Sequence, residues 1–248
     1  MKLRQVALAS ALCTVAATGA RAATVAVDVG HFLAKPGATS AYGVPEFEYN
    51  HSLAAVIAAR LAAGGAAVRL IGHRGEMADL HARPREAEEG GADFLLSVHH
   101  DSVKAHLLEP WTWRGRELLH SEAASGFSLF VSRRNPQLAQ SLACASAIGA
   151  ALRAAGLWPT PHHGVSAEGV SRPWADEANG VYYYDNLVVL KYSRLPGVLL
   201  EAGVIVNRDE ERALATPARR ALTADAVAAG LAACGVTSGG GSAKMQPN

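Results

Sequence analysis

Short apolar strands alternate with longer helical segments along most of the chain, and this alternation limits the fold more than any other feature. Residues 24–29, 67–71 and 93–100 are short, largely apolar runs, which predicts buried strands. The segments between them are predicted as helices at 46–63 and, with a charged and exposed surface, at 76–89. Strands separated by helices predict a mainly parallel, twisted sheet with helices on both faces. We therefore expect a single-domain α/β fold.

The second half of the chain follows this pattern less regularly. Residues 129–131 are predicted as a strand, and helices are predicted at 136–155 and 218–233. Two segments, 104–125 and 157–184, fit the alternation poorly. Long loops on a rigid scaffold often carry binding residues, so both are candidates for substrate contacts as well as for ordinary packing.

The first 22 residues are predicted to be a signal peptide. Lys2 and Arg4 form a basic region, and residues 6–17 form an apolar stretch that is too short to span a membrane comfortably. Ala20-Arg21-Ala22 has the small-x-small pattern of a cleavage site. Cleavage after about Ala22 predicts a mature protein without a transmembrane segment, either periplasmic or secreted.

The mature chain is predicted to hold one catalytic domain at 23–234 and a flexible, Gly/Ser-rich tail at 235–248. Two cysteines remain in it, Cys144 and Cys234. In an oxidising compartment they form either one disulfide or two buried thiols, and the sequence leaves this open. Lys and Arg number 23 against 22 Asp and Glu, and they are scattered along the chain. This distribution excludes the basic patch that a nucleic-acid partner requires.

Three predicted strands deliver metal-binding or acidic side chains at their carboxyl ends. His31 follows the first strand, His99 lies at the end of the third, and Glu201 follows the apolar run 198–200. The carboxyl ends of parallel strands share one edge of the sheet, where ligands bind in open α/β folds. A catalytic zinc takes three protein ligands from His, Asp or Glu and keeps one position for water. The pattern therefore predicts a metal hydrolase.

The third ligand is expected to be a carboxylate at the same edge, either Glu46 or Glu48. Two residues along a helix correspond to about 200° of rotation, so both cannot face one metal ion. Glu201 is predicted as the base that takes the proton of the attacking water, because burial in a strand would raise its pKa into a useful range.

Three other histidines remain open as candidates. His100 is an alternative ligand to His99, although successive strand residues point to opposite faces. His162 and His163 lie in the second long loop, where they would contact substrate, bind a second metal ion or be solvated.

Six short motifs occur in order along the chain: D-x-G-H at 28–31, P-G-A at 36–38, E-x-x-x-N at 46–50, L-x-x-R-x-x-x-A at 80–87, A-D-x-x-x-S-x-H at 92–99 and L-x-E-x-G-x-x-x-N at 199–207. Each is weak alone, but the ordered set resembles the zinc-dependent N-acetylmuramoyl-L-alanine amidases of the Amidase_3 type. The resemblance extends from about residue 25 to about residue 231, which is nearly the whole mature domain.

The resemblance implies one zinc held by His31, Glu46 and His99, with Glu201 as the catalytic glutamate. It favours Glu46 over Glu48, because the zinc-binding glutamate of the family stands four residues before an asparagine, here Asn50. The implied substrate is peptidoglycan or a muropeptide. The bond cleaved would be the amide between the lactyl group of N-acetylmuramic acid and L-alanine, with a protein activator as a further expected partner.

The chain departs from the family pattern at four positions. Phe32, Lys35, His100 and Val204 stand where the family commonly has a glycine, an acidic residue, a small residue and a Phe or Leu. These departures affect substrate preference rather than the ligand set. The alternatives are another zinc amidohydrolase or peptidase acting on a cell-wall peptide or an acyl-amino acid, and a non-catalytic wall-binding module. Preference for polymer or muropeptide, autoinhibition and oligomeric state stay open.

Overall fold

A computed structural model of the chain describes residues 21–164 and 172–237. Its strands are β1 (Thr24–Val29), β2 (Ala67–Ile71), β3 (Phe94–Asp101), β4 (Glu109–Trp113), β5 (Arg116–His120), β6 (Ser128–Val131), β7 (Trp174–Asp176), β8 (Val181–Tyr183) and β9 (Gly197–Val204). Seven of them form one sheet in the order β2-β1-β3-β9-β6-β8-β7. The β6–β9 and β7–β8 pairs are antiparallel and the other pairs are parallel. The predicted, mainly parallel α/β fold is confirmed.

The helices cover both faces of this sheet. They are α1 (Glu46–Ala63), α2 (Ala82–Glu89), α3 (Leu138–Ala154), α4 (Val188–Lys191), α5 (Arg208–Leu214) and α6 (Pro217–Ala233). Alternate residues of β1 contact opposite layers, since Val27 packs in the large core with α1, α3 and α6, whereas Ala26 packs with Ala87 of α2. Leu199 of β9 likewise packs with Val189 of α4. The sheet therefore has a thickly covered face and a thinly covered face.

Three predictions about local structure need correction. Helix α2 begins at Ala82 rather than at residue 76, and Pro84 lies in its first turn, where a missing N–H costs nothing. Its predicted exposure is also wrong for Arg83, which is buried. The two irregular segments contain strands: β4 and β5 form a separate antiparallel hairpin, and β7 and β8 extend one edge of the main sheet.

The ends of the chain lie mostly outside the described residues. Residues 1–20 of the predicted signal peptide and 238–248 of the predicted tail belong to this part, so both segments stay predictions. Within the described ranges, no helix combines the length and the apolar character that crossing a membrane requires.

Cys144 of α3 and Cys234, directly after α6, are joined by a disulfide bond. This bond answers the question that the sequence left open. It links two helices that pack against each other on the thickly covered face of the sheet.

The disulfide should make a large contribution to stability. The bonded cysteines are separated by 90 residues, and closing a loop of that length lowers the entropy of the unfolded chain by an equivalent of about 4.6 kcal/mol. We expect the Cys144→Ala/Cys234→Ala variant to lose about 3–5 kcal/mol of unfolding free energy in urea titrations. Wild type under reducing conditions is the control. Equal stability of oxidised wild type, reduced wild type and variant would contradict this expectation.

Candidate metal centre and catalytic cleft

His31, Glu46 and His99 meet at the carboxyl edge of the sheet. Nε2 of His31 lies 2.9 Å from Oε2 of Glu46, and Nδ1 of His99 lies 3.1 Å from Oε1 of the same carboxylate. The two imidazole rings are 4.9 Å apart between centroids and nearly perpendicular. One ligand atom from each residue therefore falls within a volume that one metal ion can fill.

His31 is held in an unusual backbone conformation at the end of β1. Its φ angle is +67°, in the left-handed region that non-glycine residues seldom adopt. The buried guanidinium of Arg83 donates to the carbonyl oxygens of Val29 and His31 and forms a 2.6 Å ion pair with Asp28. These contacts of Arg83 fix the chain on both sides of Gly30.

Glu46 begins α1, where an acidic side chain is favoured by the helix dipole. Asn50, one turn later, donates to Oε1 of Glu46 at 3.0 Å and to the carbonyl of Gly30 at 3.2 Å. Burial by itself would raise the pKa of Glu46, but hydrogen bonds and attraction from His31 and His99 hold this pKa well below its usual range. The carboxylate is therefore charged and oriented, as a metal ligand must be.

His99 and its neighbour His100 have different environments. His100 is buried next to α1, with Nδ1 2.8 Å from Oδ1 of Asn50 and its ring 5.5 Å from that of Tyr49. Burial lowers the pKa of His100 to about 3, so the ring is neutral. It supports Asn50 and lies outside the candidate metal group, as does the exposed Glu48.

Two glycines leave the space that the three side chains occupy. A methyl group on Gly30 would overlap the ring of His99, and one on Gly37 would overlap Glu46 and His31. Gly37 also has a φ of +84°, which disfavours any other residue. The glycines of the D-x-G-H and P-G-A motifs thus have a packing role that the sequence did not reveal.

The donor set fits zinc. Ligand atoms about 2.0–2.1 Å from a tetrahedral zinc are about 3.3 Å apart, and the separations of 2.9 and 3.1 Å approach this value. Two imidazoles and one carboxylate also leave a fourth position for water, as catalytic zinc sites do.

Glu201 lies beside His99, since β9 runs parallel to β3 with these two residues in register. Its Oε2 atom has neither solvent contact nor a hydrogen-bond partner among the described residues. Burial raises the pKa of Glu201 well above its usual value, and the carboxylates of Asp101 and Glu46 raise it further. A carboxyl group with a raised pKa is suited to take up a proton and to hold it before passing it on.

A second group of metal-binding side chains comprises Asp101, His162 and His163. The sequence singled out the two histidines but not Asp101, which is 61 residues away from His162 and has no local signal. Nε2 of His163 is 2.5 Å and Nε2 of His162 is 3.3 Å from Oδ2 of Asp101.

The contacts of His163 are those of a hydrogen-bond network, whereas Nε2 of His162 is buried without a hydrogen-bond partner among the described residues. Arg172 is always a donor, and its Nη1 lies 3.1 Å from Nδ1 of His163. Nδ1 therefore accepts, the proton of the neutral ring is on Nε2, and Nε2 donates to Asp101. A separation of 2.5 Å is also much shorter than the distance of about 3.3 Å between two ligands of one zinc. Both ring nitrogens of His163 are thus engaged in hydrogen bonds in this arrangement.

A cleft of about 540 Å³ opens beside His31 and His99. Most of its walls are apolar and come from the turn after β1, the segment before α2, the segment around α4, and β9. The apolar lining residues are Phe32, Ala78, Leu80, Leu187, Val188, Val189 and Leu199. The cleft therefore offers a substrate-sized space directly next to the candidate metal ligands.

Known structures with this fold include several amidases. The catalytic domain of CwlV, from Bacillus (Paenibacillus) polymyxa var. colistinus, matches with a TM-score of 0.63 and 22% identity over 85% of this chain and 96% of that chain. Ami1 from Mycobacterium smegmatis matches with a TM-score of 0.67 and 19% identity over 86% of this chain and 96% of that chain. The CwlD amidase from Clostridioides difficile, in complex with the GerS lipoprotein, matches with a TM-score of 0.62 and 16% identity. The match covers 84% of this chain and 96% of that chain. At these identities the likeness shows the fold.

The amino-acid sequence shows which family this chain belongs to. No curated protein matches the chain, but the family model described as N-acetylmuramoyl-L-alanine amidase, Amidase_3, matches residues 25–233. That range runs from the second residue of β1 to the last residue of α6 and includes all the site residues described above. The chain therefore belongs to the Amidase_3 family of N-acetylmuramoyl-L-alanine amidases and is a hydrolytic amidase.

Proposed function

We propose that this protein is an exported, zinc-dependent amidase that cleaves peptidoglycan between the lactyl group of N-acetylmuramic acid and L-alanine. One observation carries the proposal: the carboxylate of Glu46 lies within 3.1 Å of a ring nitrogen of both His31 and His99. Glu201 lies beside this group, in register with His99 on the neighbouring strand. The adjoining cleft gives this group access to a substrate.

His31, Glu46 and His99 would hold one zinc ion. When bound, zinc supplies Lewis-acid activation of a water molecule and of the amide carbonyl. The protein orients the ligands through Arg83, which holds the backbone of His31, and Asn50, which holds the carboxylate of Glu46.

Glu201 moves the proton. Its carboxylate takes a proton from the attacking water as the C–O bond forms at the lactyl carbonyl. The same carboxyl group then gives that proton to the alanine nitrogen as the C–N bond breaks. The products are a lactyl carboxylate and a stem peptide with a free amino terminus. A raised pKa suits the second step, because the group must hold the proton between the two transfers.

Export is supported by the predicted signal peptide at 1–22, which would direct the enzyme to the periplasm or outside the cell. A protein activator is a further proposed partner. The structure of CwlD with the GerS lipoprotein supports it, since that amidase assembles with another protein.

Digestion of intact sacculi tests the proposed reaction. We expect zinc-loaded protein to release whole stem peptides that begin with L-alanine, detected by mass spectrometry and by labelling of new amino termini. Muramyl-linked peptide stubs would identify a peptidase instead. Binding to sacculi without release of any peptide would identify a wall-binding module.

A further inference from the structure

The cleft beside the candidate metal ligands contains one charged side chain with no partner among the described residues. Besides His31 and His99, its charged or ionisable lining residues are Asp28, Arg83 and Lys35. Asp28 and Arg83 neutralise each other in a buried ion pair. Lys35 is exposed, and no acidic side chain of the described ranges forms an ion pair with it. The cleft therefore presents one uncompensated positive charge.

Lys35 is fixed at this position by the backbone. Lys35 N donates to the carbonyl of Phe32 at 2.9 Å, and Phe32 N donates to the carbonyl of Lys35 at 3.4 Å, which closes a tight turn directly after His31. Leu33 N donates to the carbonyl of Gly75 at 2.9 Å and ties the turn to the segment before α2. This turn brings Phe32 and Lys35 to the same cleft as the ligand His31.

We propose that Lys35 is a specificity residue that binds a carboxylate of the stem peptide on the residue after L-alanine. The inference rests on the proposed function and adds a subsite to it. The carboxylate of that residue is one or two Cα–Cα steps, about 4–8 Å, from the scissile nitrogen. Lys35 is four residues from His31 on a closed turn and has a long, flexible side chain, which covers this range.

The walls of the cleft strengthen such a contact. Phe32, Leu80 and Val188 are apolar, so water is partly excluded around the substrate and the attraction between opposite charges is less screened. An acidic residue at position 35 would repel the same carboxylate. Lys35 therefore gives this part of the cleft a preference for negatively charged groups.

Equilibrium binding to zinc-loaded Glu201→Gln protein tests the inference without hydrolysis. The probes are N-acetylmuramoyl-L-alanyl-D-glutamate and the same compound with both carboxyl groups converted to carboxamides. We expect the dicarboxylate to bind about three- to tenfold more tightly, with a difference that shrinks as salt is added. Adding Lys35→Gln should reduce the ratio to about one, and adding Lys35→Glu should invert it.

Lys191→Gln is the matched control. Lys191 belongs to α4, whose Val188 and Val189 line the same cleft, but Lys191 itself is not part of the lining. The control should keep the preference for the dicarboxylate. Equal affinity for the two probes, no binding of either, or the same loss in Lys191→Gln as in Lys35→Gln would overturn the inference. Failure of wild type to release peptides from sacculi would instead overturn the proposed function.

Discussion

Zinc-loaded protein with Glu201→Gln should keep its metal and bind peptidoglycan, but its kcat should fall about 10³-fold. Glutamine has nearly the same volume as glutamate, so the fold and the three candidate ligands are preserved. It cannot take a proton from water or give one to the leaving nitrogen, and positioned proton transfer contributes about 10²–10⁴-fold to rates. Initial rates of peptide release, together with metal content by atomic absorption, measure both effects.

The same variant should not lose stability. Oε2 of Glu201 has no hydrogen-bond partner among the described residues, and burial beside Asp101 and Glu46 raises the pKa of Glu201. A carboxyl group whose pKa is raised on folding stabilises the fold only at low pH, and this contribution is lost as the pH rises through the folded-state pKa. Metal-free Glu201→Gln protein should therefore unfold at pH 7 with a free energy equal to or above that of wild type.

Glu210→Gln is the matched control for this experiment. Glu210 is also a buried glutamate with a pKa raised by burial, but its carboxylate accepts hydrogen bonds from the backbone N–H groups of Gly126 and Val204. We expect it to lose about 1–2 kcal/mol of stability and to keep kcat within about twofold. Full activity of Glu201→Gln, or an equal loss of kcat in both variants, would contradict the role given to Glu201.

His99→Ala should remove the metal. Wild type should bind about one zinc per chain, and a site with three protein ligands loses most of its affinity when one imidazole is deleted. We expect near-zero zinc after dialysis and no measurable peptide release. His163→Ala is the matched control, because the side chains of His99 and His163 are 17% and 13% exposed and both contact a carboxylate.

The control also tests the description of the second histidine group. If Asp101, His162 and His163 form a hydrogen-bond network, His163→Ala leaves the zinc content at about one per chain. Two zinc ions in wild type and one in His163→Ala would show that this group binds metal. Full zinc occupancy in His99→Ala would show that the ligand assignment is wrong.

Elements with strong local signals were predicted with the bounds that the structure has. Thr24–Val29, Ala67–Ile71 and Glu46–Ala63 are examples. Each is set by its own apolar pattern and by a nearby glycine or proline, which act over a few residues. The start of α2 was wrong because Pro84 belongs to a first turn, and a charged periodic segment does not show where that turn lies.

For the site residues, the amino-acid sequence was sufficient to predict which side chains stand at strand ends and in which order they occur. His31, His99 and Glu201 follow or end apolar runs, and a parallel sheet brings such ends to one edge. The order of these residues along the chain also identifies the family, because a family model compares the chain position by position.

Which of these groups are in contact, and which atoms carry their protons, could be seen only in the folded structure. It packed the ring of His99 on Gly30, paired Cys144 with Cys234, and placed Arg172 against His163, which fixes the proton of that ring. It also brought Lys35 into the cleft without a partner among the described residues. These contacts join distant parts of the chain or depend on packing in three dimensions, whereas sequence periodicity reports only neighbours within one helix or strand.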